Sequence, residues 1–123
     1  MPVTYAPVPL MATAGTFFAA GLTLMAHVEN GAFEPVDLND YTGFRFACGP
    51  VAVVENDAEG ESGLTIIDAA AGEVDVRLSA EDLAQFVLKE GLEFTVFDWR
   101  LTAVYDGDDG ASEIGSGVLR VRP

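Results

Sequence analysis

The chain has one cysteine, one histidine and six basic side chains among 123 residues, set against 20 aspartates and glutamates. A single cysteine, Cys48, excludes an internal disulfide, and it reads as a small buried apolar residue rather than a nucleophile. His27 and Cys48 together fall short of a zinc site, which needs several nitrogen or sulfur ligands. Nor is a serine or thiol evidently placed to use His27 as a base. No glycine-rich phosphate cradle followed by lysine occurs, so no nucleotide site is expected. The scarcity of Lys and Arg leaves a net charge of −14. Such a surface repels phosphates and anionic lipid, so neither nucleic acid nor a membrane surface is an expected partner. It suits a protein kept soluble at high local concentration. Screening over ~8 Å at physiological ionic strength still lets a crowded assembly tolerate it.

Long apolar runs are missing too. No stretch approaches the 18 or so uninterrupted apolar residues a bilayer span requires. The segment from Met1 to Ala20 is apolar, but no Lys or Arg precedes Arg45, and Pro2, Pro7 and Pro9 interrupt it. It is therefore not expected to be a signal peptide.

What is present is alternation. Phe97, Trp99, Leu101, Ala103 and Tyr105 fall on one face of a strand, with Val96, Asp98, Arg100, Thr102 and Val104 on the other. The glycines of Asp106-Gly107-Asp108-Asp109-Gly110 can reverse the chain. Gly117 to Arg122 then reads as the return arm, with Leu119 and Val121 inward. Phe18, Ala20, Leu22, Leu24, Ala26 and Val28 share one face of a strand over 16–28, and Asn30-Gly31 marks the turn after it. Val36 to Leu38 is a short extended piece. Tyr41 to Cys48 is a long strand with Phe44, Phe46 and Cys48 inward, ended by Gly49-Pro50; Val51 to Glu55 is its partner or its continuation past a kink. An acidic loop over 56–63 leads to a second hairpin, Leu64 to Asp68 with Glu73 to Leu78. There Val74, Val76 and Leu78 face in, and Glu73, Asp75 and Arg77 face out.

One helix is expected. Ser79 caps it with Asp82 three places on, Leu83, Phe86 and Val87 form its apolar face, and Gly91 lies beyond its end. Some seven short strands punctuated by turns predict an all-β fold, an antiparallel sandwich over residues 15–123. Its expected core contains Leu24, Phe46, Phe97, Trp99, Leu101, Leu119 and Val121.

Residues 1–14 read as an extended arm, because three prolines within nine residues preclude a helix. The arm either pairs with its own domain or docks on a neighbouring subunit. In the second case Val3, Tyr5, Val8 and Leu10 are the interface residues. The three aspartates at 106–109 do not follow the spacing of a calcium loop and read as a solvated turn. No two carboxylates stand out as a glycosidase pair. Neither an enzyme, a cofactor nor a metal is expected.

Gly15-Thr16-Phe17-Phe18, Asn30-Gly31, Pro35-Val36-Asp37-Leu38 and Tyr41-Thr42-Gly43-Phe44 come first. Gly72-Glu73-Val74-Asp75-Val76, Leu78-Ser79 with Asp82, Phe97-Asp98-Trp99 and Gly117-Val118-Leu119-Arg120-Val121 follow. In that order they resemble the immunoglobulin-like N-terminal domain of tailed-phage baseplate upper proteins and related small virion proteins. The resemblance spans roughly Gly15 to Pro123. It implies an immunoglobulin-like sandwich and a virion protein, made in the host cytoplasm, working by protein–protein assembly with other phage structural proteins in several copies. Such domains usually head a longer chain, so a free-standing copy implies an adaptor or surface module, here a tail or baseplate adaptor or a minor tail component. A capsid decoration protein is the alternative, and a surface sandwich binding carbohydrate or calcium comes after it.

Overall fold

The computed structural model describes residues 9–27, 31–56 and 61–123. Ten strands and one short helix follow in chain order: β1 (Leu10–Thr13), β2 (Phe18–Thr23), β3 (Met25–His27), β4 (Phe33–Pro35), β5 (Tyr41–Cys48), β6 (Val51–Val54), β7 (Gly63–Asp68), β8 (Glu73–Leu78), α1 (Ala80–Ala84), β9 (Thr95–Tyr105) and β10 (Ala111–Arg122). The chain is all-β. A five-stranded sheet runs β1-β10-β9-β5-β6, a three-stranded sheet runs β2-β8-β7, and β3 pairs with β4 alone. Buried side chains from both larger sheets form one cluster, from Leu22, Val76 and Leu78 on one side to Phe46, Trp99 and Leu119 on the other.

The β9–β10 hairpin is the longest element, and it extends further than its alternation suggests. Its return arm starts at Ala111, not Gly117. The two arms pair antiparallel with a register shift between Glu113 and Gly115. That bulge breaks the period-two pattern and turns Ile114 fully into the core. A Cβ on Gly115 would lie 2.8 Å from Leu24 Cδ2, so the bulged strand is packed directly against the segment after β2.

Several expectations need correction. The sheet is not wholly antiparallel, because β1 runs parallel to β10 with Ala12 opposite Val121. The strand expected over 16–28 is broken at Leu24. There the Leu24 amide donates to the Gly72 carbonyl (2.8 Å) and its carbonyl accepts from the Val36 amide (2.9 Å), so the chain leaves the β2–β8 ladder. Gly72 has φ +69°, and a Cβ there would stand 2.8 Å from two carbonyl oxygens, those of Leu24 and Val36. Only glycine fits this three-way backbone junction.

Arg77 faces away from the core cluster yet is buried, at 6% exposure. Its guanidinium donates to the Asn56 carbonyl and to Thr65 Oγ1 (3.0 Å), and its Nε lies 4.0 Å from Asp75. Phe97 is half-buried rather than central, its ring set edge-on to Phe86 with centroids 4.7 Å apart. Six of the seven expected core residues, including Trp99 and Phe46, are buried.

The helix is shorter than its pattern implies. Ser79 and Asp82 form the reciprocal capping box. Ser62 reinforces it, donating to the Asp82 carboxylate and accepting from the Ser79 amide at 3.0 Å. Regular turns end at Ala84, so the i+4 spacing no longer governs Val87, which is 83% exposed. Leu83 and Phe86 are buried as expected. Five residues form a helix here because the cap and Leu83 anchor it, since propensity alone cannot hold so short a piece.

Gly49, at φ +52°, occupies the first loop position of the tight β5–β6 turn, in which Cys48 faces Val51. Val51 onward is therefore the hairpin partner of β5.

Candidate functional site

Val3, Tyr5 and Val8 lie outside the described residues. Leu10 lies in β1, opposite Leu119, and packs against the core. Residues 10–13 of the expected arm are thus a strand of the same chain's sheet. His27 is exposed, its ring set edge-on to that of Phe33 with centroids 5.2 Å apart. Cys48 is buried; that burial and the negative charge of Asp98 push its thiol from the ordinary 9.0 up to about 12. It stays protonated at neutral pH and is a poor nucleophile. The turn after β9 is an exposed reversal in which the Asp108 amide donates to the Tyr105 carbonyl (2.9 Å). Among the described residues no group of three or more His, Cys, Asp or Glu side chains is arranged to hold a metal. No described helix is long and apolar enough to cross a membrane.

What the fold does assemble is a face. On the five-stranded sheet the side chains opposite the core come from every strand: Met11 and Thr13; Arg45 and Ala47; Ala52 and Val54; Val96, Asp98, Arg100 and Thr102; Val118, Arg120 and Arg122. Register aligns them in rows. Met11 lies beside Arg120, and Arg120 beside Val96. Arg100 lies beside Ala47, and Ala47 beside Ala52, while Thr102 and Val54 flank Arg45. Val54 is 60% exposed, Val96 50% and Met11 48%.

The charge of this face inverts that of the chain. It holds four of the six basic residues, against the carboxylates of Asp98 and Glu113, so its formal charge is +2 and the remainder of the chain carries −16. One ion pair lies on it, Arg100 to Glu113 at 3.5 Å. Arg45, Arg120 and Arg122 have no ion pair among the described residues. Arg120 instead lies over the Phe94 ring, 5.3 Å from its centroid. Arg122 reaches the Met11 sulfur at 3.3 Å. At this margin two open depressions of about 560 and 550 Å³ meet at Glu93 and Phe94; Lys89 and Leu92 line the first, Met11 and Arg122 the second. Arginine, methionine and aromatic side chains around exposed valines are the composition enriched in protein–protein contacts, where Lys, Glu and Asp are depleted.

The outer side of the three-stranded sheet is its counterpart. Ala19, Gly21 and Thr23 of β2 leave it low and smooth, while Glu73 and Asp75 of β8 and Asp68 of β7 make it acidic. Arg77, the one cation there, is enclosed by its partners. Neither face was evident from the sequence, because each arginine reads simply as an outward strand position. The row they form appears only once strands distant in sequence are set in register.

No protein-family model matches the chain, and no curated protein shows a significant match to it.

Proposed function

We propose that this chain is a structural protein of a bacteriophage virion, an immunoglobulin-like sandwich serving as a tail or baseplate adaptor through protein–protein assembly. It acts by presenting sheet faces to neighbours, not by catalysis. The observation that carries the fold half of this reading is the strand order. In the sheets β1-β10-β9-β5-β6 and β2-β8-β7, the grouping of β10, β9, β5 and β6 and of β2, β8 and β7 follows the pattern of a variable-type immunoglobulin sandwich, while β1 lies in the larger sheet and β3 pairs with β4 apart from both. Two further departures accompany it. The inter-sheet disulfide of antibody domains has no counterpart in a chain with one cysteine, and the buried indole comes from β9 rather than from β5.

Fold does not by itself imply function. The virion half of the reading is supported by the motif order from Gly15 to Pro123 and by the exposed face of mixed arginine and valine. Its test is direct. Particles purified from the phage or prophage encoding this sequence, analysed by quantitative mass spectrometry, should contain the chain at a fixed copy number. Immunogold labelling should then mark the tail. Label on the head would favour capsid decoration, and absence of the chain from purified particles would refute the virion reading.

A further inference from the structure

We infer that the arginine-bearing face of the five-stranded sheet docks a second copy of this chain through the acidic outer side of its three-stranded sheet, head to tail. The inference rests on the assembly reading above and names the partner.

Charge selects the occupant. An isologous contact would bring together two faces each carrying Arg45, Arg100, Arg120 and Arg122 against only Asp98 and Glu113, and like net charge at short range opposes docking. The surface with the complementary sign is carried by the chain itself. Asp68, Glu73 and Asp75 occupy the outer side of the small sheet, beside the exposed Ile67. The small residues Ala19 and Gly21 keep that side low, and a Cβ on Gly21 would meet nothing within 4 Å, so another sheet can approach. Val54 and Val96, 60% and 50% exposed, supply apolar area between the arginines. Because the two surfaces differ, a docked pair keeps one of each free, an acidic side on one copy and an arginine face on the other. The contact therefore propagates into a ring or a filament rather than stopping at a dimer.

Net charge sets an unusual salt dependence. Copies at −14 repel over the whole molecule when the screening length is ~30 Å, near 0.01 M salt. At roughly 0.1–0.15 M that repulsion is confined to ~8–10 Å while contact pairs still attract. Near 1 M, at ~3 Å, the contact pairs are screened as well. Self-association should therefore peak at intermediate salt.

The test is sedimentation velocity on the full chain across that salt range. Two double variants accompany it: Arg45→Glu with Arg120→Glu, and Thr23→Lys with Glu73→Lys. Circular dichroism and thermal melting verify that each variant folds. The parent should form species larger than a dimer, most strongly at intermediate salt. Each variant alone should remain monomeric, and an equimolar mixture should regain association, since each retains one intact surface and the two reversed surfaces are again opposite in sign. A parent that stays monomeric at all salts, or a mixture that stays monomeric, overturns the proposal. So does a Thr23→Lys, Glu73→Lys variant that assembles like the parent, which would indicate an isologous contact through the arginine face. Absence of the chain from purified particles would remove the virion reading while leaving this contact standing. Incorporation of both variants into particles at the parental copy number would overturn the contact alone.

Discussion

The indole of Trp99 stacks on the ring of Phe46, with centroids 5.4 Å apart and planes inclined by 28°. Phe46 pairs across the ladder with Leu101, and Trp99 pairs with Cys48, so the two rings are diagonal neighbours on the inner side of one sheet. Both are fully buried. A pair of this kind contributes roughly 0.5–1.5 kcal/mol beyond its area. Trp99→Ala should therefore lower unfolding free energy by about 3–5 kcal/mol, measured by urea titration. Trp99 is also the only tryptophan. Native emission should be blue-shifted, and a spectrum typical of full exposure to water would contradict the packing.

Gly72 and Gly107 both have positive φ, +69° and +89°, but only Gly72 is crowded by backbone. Gly107→Ala should cost about 1 kcal/mol, the conformational part alone. Gly72→Ala must in addition displace the Leu24 and Val36 carbonyls and should cost at least about 2–3 kcal/mol. Equal losses in paired thermal melts would mean that the Gly72 junction is not tight.

Cys48 gives stability a signed pH dependence. Its thiol is raised in the folded chain from 9.0 to about 12, so the unfolded chain loses this proton first. The contribution is intact below pH 9 and is lost as pH rises through the interval up to about 12. Urea midpoints should fall more steeply with pH for the parent than for Cys48→Ala above about pH 9. Below that pH, thiol-specific reagents should label Cys48 only as fast as the chain unfolds.

Arg77→Ala removes a charged donor to the Asn56 carbonyl and to Thr65 Oγ1, leaving Thr65 Oγ1 as a neutral donor to that carbonyl at 3.1 Å. A charged donor in this position is worth about 1.5–3 kcal/mol. Exchange of the Asn56 amide, which donates to the Leu64 carbonyl at 2.8 Å, should accelerate at the same time. A stability loss without faster exchange at Asn56 would place the effect elsewhere.

Deleting residues 1–14 removes β1, and with it the burial of Ala12 and the parallel ladder from Leu10 to Thr13. The melting temperature should fall by more than a few degrees, because the β10 edge and the core beneath it open to water. An unchanged melt would show that β1 contributes nothing to the domain.

Much of this fold was legible because period-two alternation states which side faces in. Tyr41–Cys48 and Glu73–Leu78 begin and end where their patterns do, and the Ser79–Asp82 cap is written in two residues. The unread parts depend on partners far along the chain. Nothing near Leu10 specifies a parallel pairing with residues 119–122. Arg77 looks outward until Thr65 and Asn56, 12 and 21 residues away, close over it. Ile114 was missed because the bulge at Glu113–Gly115 interrupts the alternation that would have announced it. The arginine face was illegible for the same reason: Arg45, Arg100 and Arg120 come from three strands, and only the register makes them neighbours.

A reconstruction of purified particles by electron cryomicroscopy, at a resolution that shows side chains, tests the assembly claim most directly. Carboxylates of Asp68, Glu73 and Asp75 from a neighbouring copy should lie over Arg45, Arg100 and Arg120. Particles lacking the chain would contradict the virion reading, and particles containing it with the arginine face bare to solvent would contradict the contact.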